Sequence, residues 1–467
     1  MKREQFTNEL EQTMVCIDIC RVCKNTLLEF SRNWKAKGEK MQFFNLPCGK
    51  GEISLCVPDN IETKVIKPKE ISVIKDVKSA IKRSIFNPIG TKRITQIAKP
   101  KDRVAIIVTD STRKLPENII VPILLDELER AGVNMNQVTV INALGTHKPD
   151  TVAELTQMLG TKVMSRVKVV NHDCENPNKL KYIGKTKNGI PVVINDIVAN
   201  ADVRITTGTI EPHLFAGYSG GVKTLSVGVA GIETLAATHN VDMLEHPRTR
   251  LGIIEKNIFR EFLTEVAMTV GVDFIVNVVQ NGKKELLGIF AGDPVKAFKE
   301  GVKKARKVYE TKIDKEYDIV ISISSYPKSS DLYQATRAWN TVIFGPRPII
   351  KKGGTIIIPA PCEKGFGQSS FYEWLAKASS PKEVISRAHK FGFKPGDQKA
   401  FIAAKVLEYA SVYITNCLIP KEKIKNMHFK AEDNLQEAVD KVIGKSKSNN
   451  PSILIMPYGL ITLPLFS

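Results

Sequence analysis

RVAIIVTDSTRKLPENIIVPILLDELERAGV, residues 103–133, is the stretch whose reading decides the fold. Its apolar run has no polar alternation, so it reads as a strand buried on both faces. A polar turn and a helix follow. Strand, turn and helix in that order make a βα unit of a parallel sheet, since only a sheet covered by helices on both sides buries its strands so completely. Ligands bind at the carboxyl ends of such strands. The turn holds Asp110, Ser111, Thr112 and Arg113. An Asp there is also an ordinary helix N-cap, and free N–H groups beside an arginine suit a phosphate. Residues 137–160, QVTVINALGTHKPDTVAELTQMLG, repeat the pattern and put His147 in the turn after a second strand. His172, in VVNHDCEN, ends a third strand and is read as structural or as supporting the site from behind.

Residues 204–240, RITTGTIEPHLFAGYSGGVKTLSVGVAGIETLAATHN, form the other informative stretch. A β-branched run enters a loop with glycines at 208, 217, 220, 221, 228 and 231, among which stand His213, Lys223 and His239. Glycine is favoured where the backbone takes positive φ or a ligand approaches closely. The polar groups between the glycines are therefore the candidates to touch that ligand.

EPHLFAGYSGGVK followed by THN resembles the lactate racemase family of nickel-pincer nucleotide enzymes. The D-x-T-R-x-x-P pattern ending at Pro116 and the G-x-H-x-x-x-T pattern around His147 resemble it too, so the likeness covers most of the chain from about residue 41. The resemblance implies catalytic roles for His147 and His213, and cofactor binding by Asp110, Ser111, Thr112 and Arg113. It further implies covalent attachment of the nucleotide to Lys223 through a thioamide, and nickel coordination by His239. DLYQATRAW resembles the family's Y-Q-x-x-K, which makes Tyr333, Gln334 and Arg337 the expected substrate contacts. Arg337 stands where the family has lysine. Arginine keeps the charge and offers a fork to a carboxylate but is larger, so the substrate need not be lactate.

The expected architecture is α/β: two α/β domains with mainly parallel sheets, the active site in the cleft between them, and a helical N-terminal extension over residues 1–40. Residues 41–305 are expected to form the cofactor-binding domain, opened by the hairpin MQFFNLP-CGKG-EISLCVP and rejoined by a C-terminal segment, 446–467. Residues 306–445 are expected to form the substrate-closing domain, with strands at YDIVISISS, GGTIIIPA and ASVYITN. Helices are expected over 8–34, 254–270 and 294–309. The first of these carries Cys16, Cys20 and Cys23, a C-x3-C-x2-C spacing also used for iron–sulfur clusters. With no strand before it, and with Cys16 and Cys20 on one helical stripe, the spacing reads as buried thiols. The extension adds packing or homo-oligomer contacts at most.

Composition agrees with a globular protein. The chain has 467 residues, 43% hydrophobic and 25% charged, enough for two or three domains. No apolar run reaches a membrane span of about 18 residues, and the charged start lacks a secretory signal, so a cytoplasmic protein is expected. Eight dispersed cysteines do not make a disulfide framework. The formal net charge of +19 comes from scattered lysines without an RNA-binding motif. It is read as solvated surface that attracts anionic metabolites rather than nucleic acid.

Inverting a 2-hydroxy acid by removing the α-hydrogen as hydride needs an acceptor that no side chain provides, so a cofactor carries that step. No nicotinamide-type G-x-G-x-x-G is present. Each enantiomer presents its hydroxyl to a different side, and two histidines with ordinary values near neutrality suit a reaction run in both directions. The partners that the resemblance implies are a 2-hydroxy acid, nickel, the nucleotide, and the proteins that make the cofactor and insert the metal. A zinc hydrolase would need three converging ligands, and H-E-x-x-H is missing. SGGVKT lacks the spacing of a phosphate loop.

Overall fold

The computed structural model describes residues 40–394, 396–446 and 450–467 and contains two six-stranded sheets. The helix expected over 8–34, with its three cysteines, lies outside the described residues. A hairpin joins β1 (Met41–Cys48) to β2 (Gly51–Pro58), and β3 (Thr63–Val65) follows. The two stretches read as βα units supply β4 (Val104–Thr109) and β5 (Val138–Ala143), and β6 (Lys168–Asn171) comes next. An antiparallel pair, β7 (Leu180–Lys185) and β8 (Pro191–Asn195), precedes β9 (Val203–Thr209). The ribbon of β10 (Pro212–His213) and β11 (Gly217–Tyr218) folds the glycine-rich loop back on itself. Then come β12 (Phe274–Gln280) and β13 (Leu286–Gly292). The remaining strands are β14 (Glu310–Ile313), β15 (Tyr317–Ser322), β16 (Ile350–Pro359), β17 (Ser411–Thr415), β18 (Lys430–Ala431), β19 (Ile453–Met456) and β20 (Leu463–Phe466).

The first sheet runs β13-β12-β9-β4-β5-β6 and is parallel except at its β13 edge; the second runs β18-β17-β16-β15-β19-β3 and is parallel throughout. The unbroken apolar run of β4 is explained by its surroundings. Ile106 and Val108 join a layer with Ile81, Ile85, Ile120 and Leu124, whereas Ala105 and Ile107 join the opposite layer with Leu225, Leu263 and Val266. Successive side chains of a strand point to opposite faces, so both faces need apolar residues. Each of the Val, Ile and Leu side chains contributes about 1.5–3 kcal/mol when buried. In β15 the same alternation sends Val320 to one layer, with Leu332 and Trp339, and Ile319 and Ile321 to the other, with Leu55 and Leu435.

Two placements differ from the expected domain layout. The opening segment packs on the second sheet, with Leu46, Leu55 and Val57 against Ile321 and Ile455, and β3 completes that sheet's edge. The C-terminal segment does not simply return to the first domain: β19 lies between β15 and β3 in the second sheet. Only after it does the chain turn back, where β20 pairs with β14 and Leu463 packs among Ile210, Tyr218 and Leu251. Short β-branched runs specify a buried strand but not its neighbour, which tertiary packing supplies. The helix Lys296–Tyr309 lies against β12 and β13, with Val302, Ala305 and Val308 buried.

Because β5, β4 and β9 are adjacent and parallel, their carboxyl ends bring three loops side by side. Among the described residues no helix is long and apolar enough to cross a membrane.

Candidate active site

At the end of β4 the chain takes a single 3-10 turn, Ser111–Arg113, because Asp110 Oδ1 accepts from the Thr112 amide at 2.9 Å. The other carboxylate oxygen, Oδ2, lies 3.0 Å from His147 Nδ1 on the neighbouring loop. Burial pushes the Asp110 carboxyl up, but the His147 ring, Arg113 and Thr112 more than offset it and hold it well below the usual range. Asp110 is therefore an anion, and His147 keeps a proton on Nδ1 that leaves Nε2 free. The His147 side chain is 40% exposed. Asp150 clamps the two loops: its carboxylate accepts from Ser111 Oγ at 2.7 Å and from Asn142 Nδ2 at 2.9 Å. Thr151 then caps the helix Val152–Leu159.

The loop after β9 is built on glycine. Gly220 and Gly221 have φ of +79° and +61°, and a Cβ on Gly220 would stand 2.7 Å from Ile210 and 2.9 Å from Asn277 Oδ1. Asn277 of β12 accepts the Gly221 amide at 2.6 Å, which fixes the turn leading to Lys223. Arg260, buried on the helix Ile258–Val270, donates to the carbonyls of Ala216, Tyr218 and Gly220. That cation rigidifies the loop from below.

Three groups of this loop face one cavity of about 510 Å³. Burial, together with the charges of Arg113 and Arg260, lowers the Lys223 amine to about 7, so much of it is neutral near neutral pH. Burial lowers His239 to about 4. Its Nδ1 lies 2.6 Å from Thr238 Oγ1 and 3.3 Å from the Leu235 carbonyl, which leaves Nε2 an open lone pair. His213 Nδ1 accepts the amides of Phe215 and Ala216 at 3.3 and 3.2 Å, so its proton sits on Nε2. Burial first, then Lys223 and the nearby arginines, hold His213 well below its ordinary value. Phe215 and Phe259 each neighbour both rings, with centroids 5.9 and 5.7 Å from His239 and 6.2 and 6.4 Å from His213.

The second sheet supplies the facing wall through Lys328, Ser330, Tyr333, Gln334, Arg337 and Lys399. Of the residues picked out in the sequence, Asp110, Thr112, Arg113, His147, His213, Lys223, His239, Tyr333, Gln334 and Arg337 all line this cavity. Ser111 does not, being turned to Asp150. His172 is buried, with Nε2 3.0 Å from the Ala230 carbonyl, and is not among the lining residues. Sequence reading missed Asp150, Lys399 and Glu211. Glu211 sits in the quoted EPHLF motif, and its carboxylate lies 3.6 Å from Lys284 and 4.0 Å from Lys328. Burial raises that carboxyl, but Lys284, Lys328, Arg113 and Arg337 more than offset it and keep it ionised.

Comparison with known proteins bears on this arrangement. The lactate racemase N-terminal domain family matches residues 48–252, and the lactate racemase C-terminal domain family matches residues 311–463. A lactate racemase of Thermoanaerobacterium thermosaccharolyticum is 30% identical over 426 residues, covering 90% of this chain and 98% of that protein. A lactate racemase of Lactiplantibacillus plantarum is 31% identical over 384 residues, with 81% and 89% covered. The apoprotein structure of the Thermoanaerobacterium enzyme superposes with a TM-score of 0.82 at 28% identity, over 91% of this chain and all of that one. A crystal structure from Thermotoga maritima shares the fold at a TM-score of 0.64 and 19% identity, over 84% and 98%.

Proposed function

The chain belongs to the lactate racemase family and is an isomerase of the racemase class, and on that premise we propose that it inverts the C2 centre of a 2-hydroxy acid using a nickel-pincer nucleotide attached to Lys223. The observation that carries this reading is the meeting of His147, His213, Lys223 and His239 in one cavity at three adjacent strand ends. The unit built on the first sheet would hold the cofactor, and the unit built on the second, which includes the opening hairpin, β3 and β19, would close over the substrate.

The residues present fit such a group. The cavity volume is in the range of small-molecule sites. A lysine attaches covalently as a neutral amine, and Lys223 reaches that state near pH 7. His239 offers Nε2 while its Nδ1 is held from behind, the arrangement that orients histidine ligands. Thr109 lines the cavity, and its buried Oγ1 has no hydrogen-bond partner within the protein. Lys223 would carry the thioamide link, His239 would ligate nickel, and Thr112 and Arg113 would meet the phosphate end. When bound, the nucleotide supplies the acceptor for the α-hydrogen.

The protein's own part is proton transfer and orientation. His147, with Nδ1 tied to Asp110, presents Nε2 to accept the substrate hydroxyl proton. Arg337 donates to Gln334 Oε1 at 3.2 Å and has guanidinium N–H groups left for the substrate carboxylate. His213 presents an N–H donor in this arrangement. To exchange a proton at Nε2 it must release the Phe215 and Ala216 amides or turn its ring. Nickel content, the mass of the Lys223 peptide, and chiral chromatography of 2-hydroxy acids test the reading on protein from a host that makes the nucleotide. Protein that gains neither nickel nor added mass there would sink it.

A further inference from the structure

The wall supplied by the second sheet carries more positive charge than its neighbours neutralise. Lys328, Arg337, Lys364 and Lys399 line it, and Asp331 is the one carboxylate from that side among the described lining residues. Lys328 has Glu211 at 4.0 Å. Asp331 Oδ1 is engaged at 2.8 Å by the Gln334 amide, which it caps.

Lys399 is the outlier. It sits in the first turn of the helix Gln398–Tyr409 and is only 7% exposed. Its Nζ has no hydrogen-bond partner, and it lies 4.7 Å from the Trp339 ring centroid and 5.8 Å from that of Tyr333. Aromatic faces attract a cation weakly compared with the water it has lost. Burial, and then the Arg337 charge, push the amine well below its ordinary value, against the opposing charge of the nearby Asp331 carboxylate. If Lys399 served packing alone, an apolar residue against Trp339 would do so without an unsatisfied amine. The side chain lines the cavity while its Nζ, held over the Trp339 ring, has no exposed surface of its own, so an anion in the cavity would meet the amine once it turns from that ring.

The racemase reading already assigns one substrate carboxylate, at C1, to Arg337. We propose that Lys399 receives a second carboxylate at the far end of the substrate, so that the substrate class is the 2-hydroxy dicarboxylic acids. This inference rests on the function proposed above. Its geometry is an unpartnered buried amine and an arginine with free N–H groups on one wall of one cavity.

The test compares substrates that differ at the far end only. Nickel-loaded enzyme is assayed with lactate, 2-hydroxybutyrate and malate; the last two have the same chain length and differ by one terminal carboxylate. The expected kcat/KM for malate is at least about tenfold above that for 2-hydroxybutyrate. Lys399→Met should lower this ratio about ten- to hundredfold, the range of one charge-assisted hydrogen bond. A wild-type ratio near or below one, or a ratio that Lys399→Met leaves unchanged, overturns the dicarboxylate proposal while the racemase reading stands. Loaded enzyme that racemises none of the three overturns both. Should the variant fail to fold, the wild-type ratio still decides.

Discussion

Asp110 Oδ2 and His147 Nδ1 lie 3.0 Å apart, so one hydrogen bond joins the loop after β4 to the loop after β5 and sets which nitrogen of His147 is free. A carboxylate behind a histidine holds its tautomer and stabilises the protonated ring, and losing that charge is costly even when the shape is kept. Asp110→Asn should lower kcat by about 10² to 10⁴ while nickel and the Lys223 adduct remain, checked by steady-state racemisation and intact mass. A kcat within a factor of about two of wild type would remove Asp110 from this role.

Lys223 and His239 are expected to separate attachment from metal retention. Lys223→Ala should abolish the mass adduct, whereas His239→Ala should keep the covalent nucleotide but weaken nickel retention, since it removes the open Nε2 lone pair. Peptide mapping and metal analysis read the two effects independently. An adduct on Lys185 or Lys187 would overturn the assignment.

The two-histidine mechanism makes a symmetric prediction. If each histidine serves one enantiomer as base and the other as acid, as proposed, His147→Ala and His213→Ala should each lose about 10² to 10⁴ in rate in both directions. Both variants should keep nickel and adduct. Near-normal turnover in either one removes that residue from the mechanism.

Glu117 gives a stability prediction that needs no cofactor. It opens the helix Glu117–Arg130, is fully buried, and accepts from Thr207 Oγ1 at 2.5 Å, while its Oε2 has no partner. Burial raises its carboxyl to about 7 despite the bonds from Thr207 and Thr109. Its value is thus higher folded than unfolded, and between about pH 4.5 and 7 the folded state holds a proton that the unfolded state has lost. Stability from this group is full below that window and falls as pH rises through it. Glu117→Gln should flatten the fall by about 1.4 kcal/mol per pH unit, measured from urea unfolding at pH 5 to 7.5. An unchanged slope would mean that Glu117 does not titrate there.

How much of this was legible from sequence depends on whether a feature is local. The βα units at 103–133 and 137–160 could be read because a strand buried on both faces and an adjoining helix leave their own pattern in consecutive residues. The glycine-spaced loop made His213, Lys223 and His239 visible for the same reason, since Gly220 and Gly221 meet a local backbone need. Nothing local revealed that Ser111 turns to Asp150, that Glu211 sits between Lys284 and Lys328, or that Lys399 reaches the cavity beside Arg337. Nor did the apolar run of β19 say that it inserts between β15 and β3. Hydrophobic pattern determines which faces of an element are buried. What those faces meet is set by packing between segments far apart in the chain, and that only the tertiary structure decided.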